Sequence, residues 1–397
     1  MRAIVVGGAG AMGRVVARDL ARSAGVETVT VADLDGERAV QVAEETAASA
    51  FGEVRGVAAN VASSRFAEAL EGHDVCIASV AYRLNPLIAE ACLAAGCAYV
   101  DLGGLFHVAR QTLLYTGRFR EAGLTGVTCM GGSPGLTNLL AVMGARELDS
   151  VRAIHVRLGS LDPSVEGVPL PIPYSLDTLL DEFSVPAMAY RTGRFEEVEP
   201  LGEPEEVDFP APIGRRTAFT TLHSEVATLP RAFRDVEEVT FKIAFEPGFV
   251  ERFKLLAAVG LASTEPIQVG RELVRPRDVL IALSRRLPQP AGVEDIDCLR
   301  VVLEGEREGR RATVVTESVV EPDREAGLGG GARDTGIPPS IVAQMIAAGE
   351  VRGPGMFAPE EAVDPDRFFE RLAERGIGYA VTARPSDPAT AGHVRGP

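Results

Sequence analysis

The chain has 397 residues, 46% hydrophobic and 24% charged, enough for two or three cores of ordinary globular composition. Its formal charge of −16 argues against nucleic acid or an anionic membrane surface as a partner, because phosphate would be repelled. No apolar run approaches the roughly 20 residues of a membrane-spanning helix, and the opening is too short and glycine-rich for a signal peptide, so a cytoplasmic protein is expected.

The first third alternates strand and helix. Ala3 to Val6 reads as a strand, followed by a glycine loop and a helical pattern through Ala24. Strands follow at Thr28 to Ala32, Val54 to Ala58, Val75 to Val80, Tyr99 to Leu102 and Val127 to Met130. Between them lie helical patterns at Gly36 to Ala48, Ser64 to Leu70, Pro86 to Ala95 and around Val108 to Ala122. Continuous apolar strands alternating with amphipathic helices indicate a doubly wound parallel sheet, here expected over residues 1–147.

The texture then changes. Over residues 148–330, β-branched runs, acidic turns and prolines predict an inserted α+β substrate or dimerisation domain with a large, mainly antiparallel sheet. Leu299 to Leu303 and Ala312 to Val319 are matched as a hairpin, and Ser175 to Phe183 and Pro276 to Arg286 as helices. Gly327 to Thr335 reads as a linker. Residues 331–382 are expected to return to the first domain through helices at Pro338 to Ala348 and Pro365 to Arg375, and residues 383–397 to form a disordered tail. The five cysteines contain no CxxC pair and the five histidines no HxxxH or HExxH spacing, so neither a disulfide framework nor a bound metal is expected.

Gly8-Ala9-Gly10-Ala11-Met12-Gly13 follows the first strand and opens the first helix. In that context the spacing marks a dinucleotide site: Gly8 for a tight turn, Gly10 for backbone approach to the pyrophosphate, Gly13 for helix–strand packing. The helix start offers free N–H groups to the phosphates. Asp33, ending the second strand, can accept from both ribose hydroxyls and would repel a 2′-phosphate, so NAD is expected over NADP, although Arg38 lies close by. Ser79 and Tyr82, past the fourth strand, are expected along the nicotinamide side, because open parallel sheets bind ligands beyond their carboxyl ends.

With these features the sequence resembles the saccharopine dehydrogenase-like oxidoreductases, which include lysine 6-dehydrogenases. The resemblance runs from the glycine loop to about Ala380. It rests on Ala98-Tyr99-Val100-Asp101-Leu102-Gly103-Gly104, Gly132-Ser133-Pro134-Gly135-Leu136-Thr137-Asn138, Phe241-Lys242 with Pro247-Gly248, Arg275 to Leu280, and Asp334 to Pro338. It implies a Rossmann fold with an inserted substrate domain, a homodimer, and hydride transfer from a carbon bonded to nitrogen, followed by imine hydrolysis. The GSPGLTN form points to oxidation of L-lysine at its ε-carbon, whereas His223-Ser224-Glu225 departs from that version. A saccharopine-type reaction on a secondary amine and a non-catalytic NAD-binding protein are the alternatives.

Candidate catalytic groups are His223, with Glu225 to fix its tautomer, and Asp101, which could hold an ammonium group or orient water or simply begin the turn before Gly103-Gly104; the base is left open between His223, Asp101 and a water held by either. Ser133, Thr137 and Asn138 are candidates for a carboxylate or the nicotinamide amide, or for plain helix capping. Lys242 is one of only two lysines and is a candidate for the substrate, or a snorkelling strand residue.

Overall fold

The structure, a computed structural model, describes residues 1–246, 248–287 and 294–385. One sheet contains β1 (Arg2–Val6), β2 (Thr28–Asp33), β3 (Glu53–Ala58), β4 (Val75–Ala78), β5 (Ala98–Asp101) and β6 (Thr125–Val127). All pair in parallel in the order 3-2-1-4-5-6, the doubly wound dinucleotide-binding order, which reverses direction beside β1. The central strands read as unbroken apolar runs because both faces are covered. The covering helices are α1 (Ala11–Ala21), α2 (Gly36–Ala47), α3 (Phe66–Leu70), α4 (Asn85–Ala95), α5 (Phe106–Leu113) and α6 (Thr116–Glu121). The single helix expected around Val108 to Ala122 is therefore two.

The strand expected at Val127 to Met130 is shorter and earlier. Beyond Val127 the backbone turns away at Cys129, whose φ of 65° lies in the left-handed region, and Cys129 N–H bonds to a side chain instead of a strand. Helix α7 (Leu136–Ala145) then leads into a second, mixed sheet. Its strands are β7 (Ser150–Leu161), β8 (Ala187–Arg191), β9 (Arg194–Val198), β10 (Glu205–Asp208), β11 (Arg215–Thr220) and β12 (Glu238–Ala244). After the two-stranded ribbon β13 (Ile267–Val269) and β14 (Glu272–Val274), the long hairpin β15 (Ile296–Arg307) and β16 (Arg310–Val320) completes its centre. Only β7 and β12 pair in parallel; the other ladders are antiparallel.

One face of this sheet packs on α7. Val301 and Leu303 alternate with half-buried Val302 and Glu304, and the helix approaches so closely that a Cβ on Gly144 would lie 2.4 Å from Leu303 Cδ1 and displace that side chain. Helices α8 (Leu176–Ser184) and α9 (Glu225–Ala232) reach the loops of the first sheet through Arg83–Asp177 and Ser224–Gly104, and α10 (Phe249–Ala258) and α11 (Pro276–Ser284) pack on α8. Phe183 packs with Phe245, Phe249 and Phe253 at centroid separations of 5.0, 5.8 and 5.0 Å, the centre of a small core of its own.

The chain then returns. Helix α12 spans Gly330–Ala347, so the expected linker is helical from Gly330 onward and Pro338 and Pro339 sit inside the helix instead of at its start. Tertiary contact overrides the local signals: Asp295 receives Gly331 N–H at 2.8 Å, and Gly336 lies against Val15 of α1, where a Cβ would come within 2.6 Å. Strand β17 (Gly355–Phe357) adds a seventh strand beside β6, followed by α13 (Pro359–Ala362) and α14 (Pro365–Ala373). Strand β18 (Ala380–Pro385) then pairs with β16, so residues 383–385 belong to a sheet edge and not to a tail. The tail over 386–397 lies outside the described residues, as does Pro247. All five cysteines are buried and free, and among the described residues no helix is long and apolar enough to cross a membrane.

Candidate active site

The glycine loop joins β1 to α1. Its left-handed residue is Gly7, with φ 77°, so the tight turn assigned to Gly8 belongs one position earlier; a Cβ on Gly7 would also stand 2.2 Å from Ser79 O. Gly8 is needed for packing, since its Cβ would meet Val5 O at 2.8 Å and Val31 at 2.9 Å. Gly10 lies open, its only near neighbour being Gly7 O at 3.2 Å, and behind it the first N–H groups of α1 (from Ala11, Met12 and Gly13) have no carbonyl one turn earlier within the helix. That cradle fits a dinucleotide pyrophosphate. Asp33 Oδ2 accepts Ala9 N–H at 3.1 Å, holding the loop against the tip of β2, while Arg38 is turned to Gln41 at 2.5 Å.

A Cβ on Gly13 would meet Gly7 O at 2.2 Å and Gly8 Cα at 2.7 Å, both backbone. Gly13→Ala should therefore spread the loop and weaken cofactor binding by about tenfold or more, equivalent to the roughly 1–3 kcal/mol of an overpacked site. Titration of the reduced cofactor by fluorescence checks this; an unchanged Kd would place the pyrophosphate elsewhere.

Beyond the strand ends, four loops meet. Ser79 ends the β4 segment, its N–H bonded to Val6 O at 2.8 Å. Tyr82 follows it, and Gly104 packs within 3.3 Å of Tyr82 Cβ as measured from the Cβ it lacks. Gly103 fits against Pro134 in the same way, at 2.7 Å. Ser224 Oγ donates to Gly104 O at 2.5 Å, which fastens the loop before α9 to the end of β5. Ser133, His223 and Glu225 are thereby brought together.

Glu225 is the hub. Its Oε2 lies 2.6 Å from His223 Nδ1, and its Oε1 accepts from Thr137 Oγ1 at 2.9 Å and from Ser133 Oγ. Glu225 is fully buried and His223 nearly so, and the imidazole stacks on Phe241 at 3.8 Å. His223 stands in the loop that enters α9, and the pairing with Glu225 arises from that turn. Burial disfavours the imidazolium, but Glu225 and Glu182 outweigh it and raise the His223 pKa above 6.5; burial likewise opposes the Glu225 carboxylate, and His223 with Ser133 lowers its pKa overall. Nε2 of His223 has no partner among the described residues.

The other sequence candidates divide. Asp101 is fully buried and accepts four bonds, from Tyr99 Oη (2.8 Å), Thr128 Oγ1 (2.7 Å), Cys129 N (2.8 Å) and Gly103 N (2.8 Å). It holds strand ends together and has no acceptor position left for a ligand. Asn138 is also buried: its Oδ1 accepts Gly135 N–H at 2.9 Å, capping α7, and its Nδ2 donates to Thr228 and Glu360 at 2.9 Å each. Lys242 is separated from the site. Adjacent strand residues face opposite ways, so while Phe241 stacks on His223, Lys242 pairs with Glu205 at 2.9 Å beside Arg157.

Groups on α8 and in the loop after β4 complete the cluster. Glu182 of α8 is buried, receives Tyr174 Oη at 2.5 Å, and has its pKa raised to about 7 by burial against the opposing effect of His223. Asp181, next to it, accepts from Tyr82 Oη at 2.6 Å and pairs with Arg277 at 2.7 Å and with Arg83. Arg83 also pairs with Asp177 at 2.9 Å, so the loop after β4 is tied to α8 across the two sheets. Arg277 falls in the Arg275 to Leu280 stretch that carries the resemblance, whereas Asp181 and Glu182 show in the sequence only as an acidic doublet on an apolar helix.

Two families match this chain: "Saccharopine dehydrogenase NADP binding domain" over residues 4–127 and "Saccharopine dehydrogenase C-terminal domain" over residues 131–377. Among curated proteins it is 24% identical over 320 residues to carboxynorspermidine synthase of Vibrio cholerae, covering 75% of each chain. It is 22% identical over 311 residues to carboxyaminopropylagmatine dehydrogenase of Synechocystis, covering 74% of this chain and 75% of that one. Among solved structures, apo saccharopine dehydrogenase (L-Glu forming) of Saccharomyces cerevisiae superposes with a TM-score of 0.75 at 18% identity, over 96% of this chain and 99% of that chain. Homospermidine synthase of Legionella pneumophila, in complex with NAD, gives 0.64 at 14% identity over 97% and 91%. The fold is that of these proteins, and the chain belongs to the saccharopine dehydrogenase family.

Proposed function

We propose that the protein is a nicotinamide-dinucleotide-linked oxidoreductase that makes or breaks a carbon–nitrogen bond, joining an amine and a carbonyl compound into a secondary amine or running the reverse. The observation that carries this reading is the His223–Glu225 pair braced by Ser133 and Thr137 beyond the strand ends of the dinucleotide sheet. When bound, the nicotinamide supplies the hydride acceptor or donor. Removal of a hydride from the carbon beside nitrogen leaves an imine, and water then adds to give amine and carbonyl. His223 Nε2 takes a proton from the amine or the attacking water and returns it in the opposite direction. Glu225 holds the Nδ1 tautomer and stabilises the imidazolium, and Ser133 and Thr137 hold Glu225.

Glu182, Glu225 and His223 form one electrostatic group, and Asp297, whose pKa burial raises to about 7, acts with Glu182 on Tyr174. Such acidic surroundings suit a cationic amine, and the two curated relatives carry names of carboxylated polyamines. Oxidation of L-lysine at its ε-carbon is the case in which the nitrogen leaves as ammonia. The Asp33 carboxylate at the tip of β2, with Arg38 turned to Gln41, favours NAD over NADP in this reading. A homodimer through the open face of the second sheet, where half-buried Val302 and Val315 stand in register, belongs to it as well.

The test is reduced-nicotinamide absorbance with NAD or NADP and each of carboxynorspermidine, saccharopine and L-lysine. Turnover with either secondary amine is the expected result, with a higher kcat/KM for NAD. Turnover with lysine alone, releasing ammonia, would establish deamination; silence with all three while cofactor binds would end the amine reading. Asp33→Ser should move the NAD/NADP ratio of kcat/KM toward NADP by about tenfold or more, since it removes a charge that opposes the 2′-phosphate.

A further inference from the structure

At the far end of α1 from the glycine loop lies a cavity of about 550 Å³, lined by three helices and the loop before α12. Five arginines face it: Arg18 and Arg22 one turn apart on α1, Arg333 on α12, and Arg371 and Arg375 from α14 and its exit. Three carboxylates line it too, from Asp19, Asp323 and Glu374, which leaves an excess of two positive charges in a chain whose net charge is −16. A positive concavity on such a background focuses the field for an anion.

The pairing of these arginines is uneven. Arg375 is held by Asp19 at 2.8 Å and Arg371 by Glu350 at 2.7 Å. Arg18, Arg22 and Arg333 have no carboxylate within 4.0 Å among the described residues. Arg18 donates to Ala326 O at 2.7 Å, Arg22 to Ser49 Oγ at 2.9 Å, and Arg333 to Arg375 O at 2.8 Å and to Glu321 O. Burial and the neighbouring Arg22 lower the Arg18 pKa, with Asp323 acting the other way. The C-terminal end of α1 accounts for cations at Arg18 and Arg22, and Arg333 reaches a carbonyl just past the C-terminal end of α14 from another helix. Arg333 is 9% exposed and stands in the opening turns of α12, where the dipole disfavours a cation.

We infer that this cavity binds a small polyanion, a phosphate ester or a polycarboxylate, at a site separate from the cofactor. None of Gly8, Gly10, Gly13, Asp33 or Ser79 lines it, and the inference is independent of the proposed reaction. Arg18 and Arg22 converge on the anion from one helix while Arg333 meets it from another, each guanidinium keeping donors beyond those spent on neutral oxygens. The ligand would bridge α1 and α12, the two helices whose contact at Gly336 and Val15 lies one turn behind the glycine loop.

The experiment is isothermal titration of the whole protein with pyrophosphate and with citrate, at fixed ionic strength and with NAD saturating so that the cofactor's own pyrophosphate site is filled. Saturable binding of one probe is expected, and which probe binds identifies the anion class. The double variant Arg18→Gln/Arg22→Gln should lose that binding by about tenfold or more while its NAD affinity stays as it was. Arg22→Gln alone, at an exposed position, gives a second reading should the double variant fold poorly, with a weaker but measurable loss. No saturable binding by either probe, or binding insensitive to both variants, would overturn the site.

Discussion

His223→Asn should lower kcat by roughly 10²–10⁴, the usual worth of a positioned acid–base group, while leaving the cofactor Kd unchanged. Asparagine is the informative substitution because its Nδ2 can still donate to Glu225 across the 2.6 Å now spanned by Nδ1, so the buried carboxylate keeps a partner. His223→Ala should show the same loss of turnover and, in addition, destabilise the fold by about 3–5 kcal/mol, because Glu225 would be left buried with its charge uncompensated. The pH dependence has a defined sign. Amine oxidation needs neutral His223, so kcat/KM in that direction should rise as pH passes the imidazole pKa, which lies above 6.5; the reductive direction needs the imidazolium and should fall over the same range.

The pair also contributes to stability in a bounded window. The raised histidine pKa gives a contribution fully present below the unfolded value and lost as pH climbs through the folded one. The lowered Glu225 pKa gives one present above its unfolded value and lost as pH falls through the folded one. Stability from this pair should therefore peak between those limits, and His223→Asn should flatten the alkaline side of a denaturation series against pH. A turnover limb that persists in His223→Asn would assign the proton transfer to another group, with Glu182 next in line.

What the sequence made legible follows from how far each signal reaches. The dinucleotide half could be read because its strands are buried on both faces and its turns are punctuated by glycine, all within local windows. In the glycine loop the reading was off by one residue: the GG doublet at Gly7-Gly8 hides which glycine carries the positive φ, and the Ser79 O that a Cβ on Gly7 would meet comes from about seventy positions away. Strand β17 was missed because three residues, Gly355 to Phe357, carry no periodicity and owe their role to pairing with β6. Helix α12 was cut short because the two prolines are strong local signals, while the packing of Gly336 on Val15 is a tertiary one. Lys242 drew notice as a rare residue, but its rarity does not reveal which strand face it occupies. Tyr174 and Glu182 lie about fifty and about forty residues from His223 in sequence, and the fold of α8 across the strand ends is what makes them neighbours.

Asp101 supplies the sharpest test of that distinction between chemistry and scaffold, because a catalytic reading and a scaffolding reading predict opposite outcomes for one substitution. Four donors converge on its carboxylate, two backbone N–H groups on Oδ1 and two hydroxyls on Oδ2. In Asp101→Asn the amide oxygen can keep Gly103 N–H and Cys129 N–H, while the hydroxyls of Tyr99 and Thr128 can rotate to accept from the new NH₂. Burial raises the pKa of Asp101 despite these four donors, so exchanging the charge for a neutral amide also removes a desolvation cost. The expected change is about 1 kcal/mol in denaturant unfolding, with turnover kept within a few-fold. Asp101→Ala cannot compensate: two backbone N–H groups that cannot reverse their polarity lose their acceptor in a site with no exposed surface. At roughly 1–3 kcal/mol for each stranded group, the loss should reach about 3–5 kcal/mol. The loop that carries Gly103 and Gly104 to Tyr82 and Ser224 would loosen with it, so cofactor and substrate affinity should weaken together. If Asp101→Asn instead folds normally but abolishes turnover, the carboxylate takes part in the chemistry itself, and the division of labour between Asp101 and His223 is the reverse of the one the hydrogen bonds describe.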